Sequence, residues 1–169
     1  MDCLFCNIIS GKVPSLKIYE DSDFLGILDI RPANKGHIIL MPKKHTTFIS
    51  EMDDSDVCKL FVLAKDIALN TVNKVGAKAF NLVYSAGQQA GQQTPHAFVN
   101  IIPRFDRDNV NISWEPVQLT QQEYMKLQNE LLYSKPVKIT EKREVIKKEP
   151  RKNQEGTIYK QSPQHPGYW

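Results

Sequence analysis

No stretch of this sequence is apolar for long enough to cross a bilayer as a helix, so a membrane-spanning role is excluded at the outset. The first residues, "MDCLFCNIIS", lack the basic start, apolar stretch and small-residue cleavage site of a secretory signal, and a cytoplasmic setting is expected. Cysteine is scarce. Three in 169 residues, an odd number, argue against a disulfide framework and for metal or packing roles. There is no internal repeat, and the length suits one ordinary domain with room for an appendage.

What is present is unevenly distributed. From Lys135 to Trp169, nine Lys and Arg against four Glu give +5, which leaves residues 1–134 at −2 of the overall +3. A mildly acidic body thus carries a basic, proline-containing C-terminal extension with few apolar residues and no sustained period. A chain of that composition is a handle for an anionic partner, RNA or a ribonucleoprotein among them. Counterion release from phosphates would supply the affinity.

Within the body, short β-prone runs alternate with turn residues. Strands are expected near Lys17 to Glu20, Phe24 to Leu28, His37 to Met41, Phe80 to Tyr84 and Ala97 to Ile102. Between the third and fourth, Val57, Leu60, Phe61, Ala64, Ala68, Thr71, Val72 and Val75 recur at three and four, and Gly76 follows where a helix would stop. This predicts one long amphipathic helix, with Cys58 in its core. Thr120 and Glu123 form a capping box for a second, shorter helix over about Gln121 to Tyr133.

Cys3 and Cys6 make a C-x-x-C, a spacing that can aim two thiolates at one tetrahedral ion. His45, after "HIILMPKK", and His96, in "QTPHAFVNIIPR", could complete a Cys₂His₂ set. The other reading of the cysteines is as small buried hydrophobes beside Leu4 and Phe5. A redox pair fits less well, since no thioredoxin-like βαβ pattern surrounds them.

Taken together, "CLFCNIISGKVPSLKIYEDSDFLGILDIRPANKGHIILMPKKH", the long helix, "GAKAFNLVYSAGQQAGQQTPH" and "NIIPRF" resemble the histidine triad (HIT) family, in its bacterial and archaeal zinc-containing type. The likeness runs from Cys3 to about Phe105, and nothing comparable covers residues 135–169. It implies an α+β fold with a mostly antiparallel sheet over residues 1–134, usually paired into a homodimer. It also implies a structural zinc on Cys3, Cys6, His45 and His96.

Nucleotide-binding positions follow from the same resemblance. Asp29 matches the carboxylate that accepts from ribose hydroxyls, Ile30 lies beside the base, and His37 belongs to the pocket shell. Gly91 and Gln92 match a pair that approaches phosphate, while Gln93 and Ser85 stand where many members carry Ser or Thr and Asn. A purine nucleotide is the implied ligand.

The catalytic positions depart from the family. Its signature strand reads His-x-His-x-His, so that alternate residues share a face. The middle histidine attacks the α-phosphorus to give a nucleotidyl-histidine. Here the run reads His96, Phe98, Asn100. A phenyl ring has no lone pair for phosphorus, so the expected protein is a pseudoenzyme: zinc-stabilised, binding a nucleotide, nucleic acid or macromolecular partner without hydrolysis. Two other readings are hydrolase or nucleotidyltransferase activity through a different residue, and an accessory role in an RNA-containing particle through the tail.

Overall fold

The computed structural model describes residues 3–132. The chain divides into two units, one ending at Trp114 and the other beginning at Glu115. The expected boundary at 134/135, and the tail beyond it, lie outside the described residues.

The first unit runs α1 (Leu4–Ile9), β1 (Lys17–Glu20), β2 (Phe24–Leu28), β3 (Ile38–Pro42), α2 (Asp54–Val75), β4 (Ala79–Tyr84) and β5 (Val99–Arg104), with single 3₁₀ turns at Ile49–Glu51 and Gln88–Ala90. The strands form one antiparallel sheet in the order β1-β2-β3-β5-β4. The α+β expectation and the five strands hold. β3 and β5 start one and two residues later than the patterns suggest, so His37 and Ala97 precede their strands.

Period-two alternation sorts the core into two layers. Phe24, Ile38, Leu40, Val99 and Ile101 face α2 and pack on Leu60, Ala64 and Ala68. Leu25, Ile27, Ile39 and Met41 point to the other face, where α1 supplies Phe5 and Ile8 and Cys3 precedes them. β2 and β3 are therefore buried on both sides, which is why "FLGIL" and "IILMP" read as continuous apolar runs.

α2 begins where Asp53 leaves helical geometry. Asp54 and Asp56 sit in its first turn and Lys74 in its last, as the helix dipole favours. It ends at Gly76, whose φ of 72° is left-handed backbone that side chains with a Cβ resist. Cys58 is exposed, contrary to the expectation that it packs in the core. Position 58 lies two residues from Leu60, about 200° around the helix at 100° per residue, and so faces away from the Leu60, Ala64, Ala68 stripe.

The loop from Asp29 to His37 is fixed to the end of β5. Asn34 Nδ2 donates to Pro103 O and to Asp108 Oδ2, both at 2.9 Å. Asp108 also accepts from Arg104 Nε at 2.8 Å, Arg104 Nη2 at 2.9 Å and the Phe105 amide at 2.9 Å. The Arg104 guanidinium and these amides hold the Asp108 carboxyl below the usual carboxylate range.

The second unit contains α3 (Gln121–Leu131), which opens on the expected capping box. Thr120 Oγ1 accepts from the Glu123 amide, and the Glu123 carboxylate accepts from the Thr120 amide at 2.7 Å. Among the described residues, no helix is long and apolar enough to cross a membrane.

Candidate metal centre and ligand cleft

The two thiols and two imidazoles singled out from the sequence come together. One donor atom from each of Cys3, Cys6, His45 and His96 lies within 4.8 Å of all the others. Cys3 Sγ is 3.6 Å from His96 Nδ1, while Cys6 Sγ is 3.2 Å from His45 Nδ1 and 3.8 Å from His96 Nδ1. A tetrahedral ion with bonds of about 2.3 Å to sulfur and about 2.0 Å to nitrogen needs S···N edges near about 3.5 Å, so the spacing fits.

Backbone geometry builds the cluster. Cys3 caps the start of α1, and the first turn of the helix returns Cys6 to the same side, with the Asn7 amide closing on Cys3 O at 3.1 Å. His96 is fully buried. Its Nε2 lies 2.9 Å from Pro42 O, an acceptor, so Nε2 carries the proton and Nδ1 presents a lone pair to the thiols. Burial pushes the His96 imidazole down from its ordinary value, with His45 adding and the Pro42 carbonyl opposing. Burial, followed by the hydrogen bond and charge of Cys3, pushes the Cys6 thiol up. A divalent cation would reverse that cost by stabilising thiolates, and exposed His45 leaves the cluster a path to solvent.

Beside it, a cleft of about 600 Å³ opens between α1, the β2 end and the loop before β5. Asp29, Ile30, Gly91, Gln93, Phe98 and Asn100 all line it. His37, Ser85 and Gln92 are not in the lining. α1 serves both places, because the helix that carries Cys6 and follows Cys3 also gives Leu4, Phe5 and Ile8 to the cleft wall. The Phe5 ring stands edge-on to both His96, with centroids 5.9 Å apart, and Phe98, at 5.2 Å.

Of residues 96, 98 and 100, Phe98 and Asn100 line the cleft while His96 turns to the thiols, and only Asn100 lies within β5 itself. Asn100 Oδ1 is 3.0 Å from His37 Nε2. The Ala33 amide donates to His37 Nδ1 at 3.1 Å, so that nitrogen is an acceptor and Nε2–H is the donor to Asn100. The same assignment makes the 3.5 Å separation of His37 Nδ1 from Asp29 Oδ2 a proximity rather than a hydrogen bond. Asp29 Oδ1 accepts from the Arg31 amide at 2.8 Å, leaving Oδ2 as its available oxygen.

Two positions behave differently from the phosphate-loop expectation. Gln92 turns into its own loop. Its Nε2 donates to Thr47 O at 2.9 Å and Thr94 O at 3.2 Å, and its Oε1 accepts from the Gly87 amide at 2.8 Å. Gly91 has φ of 86°, and a Cβ there would meet nothing within 4 Å, so backbone conformation rather than close approach calls for glycine. The His37–Asn100 pairing was not foreseen from the sequence. Its only sequence signal is the amide at the third place of the alternating strand.

A family model of the HIT domain matches residues 10–107. The chain belongs to the HIT family. An uncharacterized HIT-like protein of Methanocaldococcus jannaschii is 37% identical over 116 residues, covering 69% of this chain and 89% of that protein. The adenylylsulfatase HINT3 of Arabidopsis thaliana is 40% identical over 107 residues, covering 63% of this chain and 54% of that one. Among solved structures, a zinc-bound histidine triad protein of Mycobacterium smegmatis superposes with a TM-score of 0.63 at 34% identity, over 69% of this chain and 85% of its own. The similar proteins thus include one named an adenylylsulfatase and one whose structure is zinc-bound, while this chain carries Phe98 and Asn100 in the cleft lining.

Proposed function

We propose that this chain is a catalytically degenerate HIT protein, a zinc-stapled cytoplasmic homodimer whose cleft binds a nucleotide-class ligand without hydrolysing it. The observation that carries the reading is Phe98. Its ring faces the cleft at the nucleophile position of the resemblance and packs on Phe5. It offers no electron pair to phosphorus. The nearby imidazoles do not replace it: His96 Nδ1 points at the two thiols, and His37 has its nitrogens engaged by Ala33 and Asn100. Moving a nucleophile by even an ångström costs about a hundredfold in rate, so a displaced donor is a poor substitute.

Zinc is supported by the donor set and by the fixed His96 tautomer. Cys3, Cys6, His45 and His96 would hold it, and its part is to tie α1 to the residues flanking β3 and β5. The ligand reading rests on Asp29, whose free Oδ2 suits a pair of ribose hydroxyls. Incubation with adenosine 5′-phosphoramidate labelled in the nucleotide should leave no acid-labile adduct on the protein. An adduct, or turnover that disappears on His37→Ala, would restore the enzyme reading.

A second reading draws on the +5 charge of residues 135–169, which suits RNA or a ribonucleoprotein. Salt-dependent RNA binding should fall when that segment is deleted. Binding that survives deletion removes this reading.

A further inference from the structure

We propose that Cys3 and Cys6 are a peroxide-sensitive latch, whose oxidation to a disulfide unties α1, and with it one wall of the cleft, from His45 and His96. The inference rests on the zinc-stapled reading above and does not depend on which ligand the cleft takes.

The two sulfurs are close enough to join. Sγ of Cys3 and Sγ of Cys6 lie within 4.8 Å of one another, on residues that the first turn of α1 brings together. Cys3 keeps extended backbone just ahead of the helix, at φ −87° and ψ 120°, and Cys6 lies within it. A bond of about 2.05 Å between them closes a loop inside a single segment. Access to the pair is unequal. Cys3 is buried, Cys6 is half-buried, and His45, whose Nδ1 is 3.2 Å from Cys6 Sγ, is exposed. Cys6 is therefore the sulfur that a small oxidant meets first.

With hydrogen peroxide as the oxidant the chemistry balances. Cys6 Sγ attacks one peroxide oxygen, the O–O bond breaks, and one water leaves with a sulfenic acid formed on Cys6. Cys3 Sγ then attacks Cys6 Sγ, the S–O bond breaks, and a second water leaves. The two thiols give up two protons and two electrons, and both peroxide oxygens are reduced. The pair is oxidised in place, with no exchange against a substrate disulfide.

The consequence lies in what the cluster loses. A disulfide offers a metal ion no thiolate, and two histidines are half a tetrahedral site. His96 bears the sharper loss. It is fully buried, its Nε2 is committed to Pro42 O at 2.9 Å, and its Nδ1 has the sulfurs of Cys3 and Cys6 at 3.6 and 3.8 Å. An oxidised pair gives that lone pair neither a thiol proton nor a metal, and a buried acceptor without a partner is destabilising. α1 is poorly equipped to absorb the change, being six residues long with no capping side chain. Its Phe5 stands edge-on to both His96 and Phe98, so a loosened α1 is a loosened cleft wall. Cys58 lies outside the cluster and takes no part.

The test treats the zinc-loaded, full-length protein with excess hydrogen peroxide. Zinc should be released to a chromogenic chelator, the denatured mass should fall by about 2 Da for the two hydrogens lost, and alkylatable thiols should drop from three to one. The Asn7, Ser10 and Val13 amides, bonded to carbonyls of Cys3, Cys6 and Asn7, should exchange hydrogen about tenfold faster, as one unpaired buried acceptor implies. Dithiothreitol with added zinc should reverse all four changes, and Cys58→Ser protein should respond in the same way. Retained zinc with all three thiols still alkylatable overturns the inference and leaves the zinc reading standing, as does a Cys3–Cys6 disulfide with unchanged exchange at those amides. A folded protein that takes up no zinc at the outset removes the zinc reading itself, and the inference with it.

Discussion

The Cys₂His₂ cluster and the cleft are neighbours built from the same pieces, α1 and the run from His96 to Asn100, yet the two bring very different side chains together. In the cluster, four donors from three separate segments converge within 4.8 Å, and the buried histidine among them has its tautomer set by Pro42. In the cleft, alternate positions of the same run hold Phe98 and Asn100, and the nearest imidazole is tied to an amide. A site that organises the fold constrains each of its ligands, because losing one leaves the others unpaired. A catalytic face can lose its nucleophile and still pack, since a phenyl ring fills the space of an imidazole against Phe5.

The comparison breaks most readily at the metal. Chelation of the zinc-loaded protein should lower the melting temperature by about 10 °C or more, since a metal at a thousandfold over its dissociation constant stabilises by about 4 kcal/mol. Cys6→Ser should reproduce most of that loss. An unchanged melting curve, with metal absent before and after, would make the cysteines mere packing residues. The six residues of α1 cannot hold a helix alone, so removal of the metal should also weaken ligand binding through Leu4, Phe5 and Ile8.

A smaller effect is expected on the other side. Phe98→Ala should cost about 2 kcal/mol in denaturant unfolding, below the about 3 kcal/mol or more of a fully buried phenylalanine because the ring is half-buried and faces the cleft. Zinc per chain, read by atomic emission, should not change. Loss of metal with that substitution would show that the two sites are one. Smaller again, Asp29→Asn should weaken ligand binding about tenfold, the size of one charge-assisted hydrogen bond, with melting temperature and metal content constant. Equal affinity would take Asp29 out of the ligand site.

The least effect concerns the staple under the Asp29 loop. Asp108 is held below its ordinary value in the folded protein, chiefly by Arg104, so its contribution is complete above about pH 4 and fades as pH falls toward the depressed folded value. Asp108→Asn should flatten that part of the acid limb in pH-dependent unfolding and leave neutral-pH metal content unchanged. An acid limb of the same shape in the variant would assign it to other carboxylates.

Much of this architecture was legible in the chain because it rests on periodicity. Alternation placed Val99 and Ile101 on one face and Phe98 and Asn100 on the other, and the three-four spacing with Gly76 gave α2 its length. The clustering of Cys3, Cys6, His45 and His96 was legible through spacing together with the resemblance. What was not legible depends on single side-chain choices in three dimensions. α1 is too short to show a period and begins at Cys3 with no capping side chain. Gln92 could have faced a phosphate as well as its loop, and only the carbonyls of Thr47 and Thr94 decide which. The partner of Asn100 is a histidine more than sixty residues earlier, a pairing that no local pattern records. Cys58 illustrates the opposite error, an apolar residue assigned to the core although the stripe it would have to join lies on the other side of the helix.

The most direct test of the proposed zinc centre beside a non-catalytic cleft is native mass spectrometry of the full-length protein after incubation with adenosine 5′-phosphoramidate. The account predicts one zinc per chain and no covalent nucleotidyl increment. A nucleotidyl increment on the unmodified chain, or a folded chain that carries no metal after zinc is supplied, would contradict it.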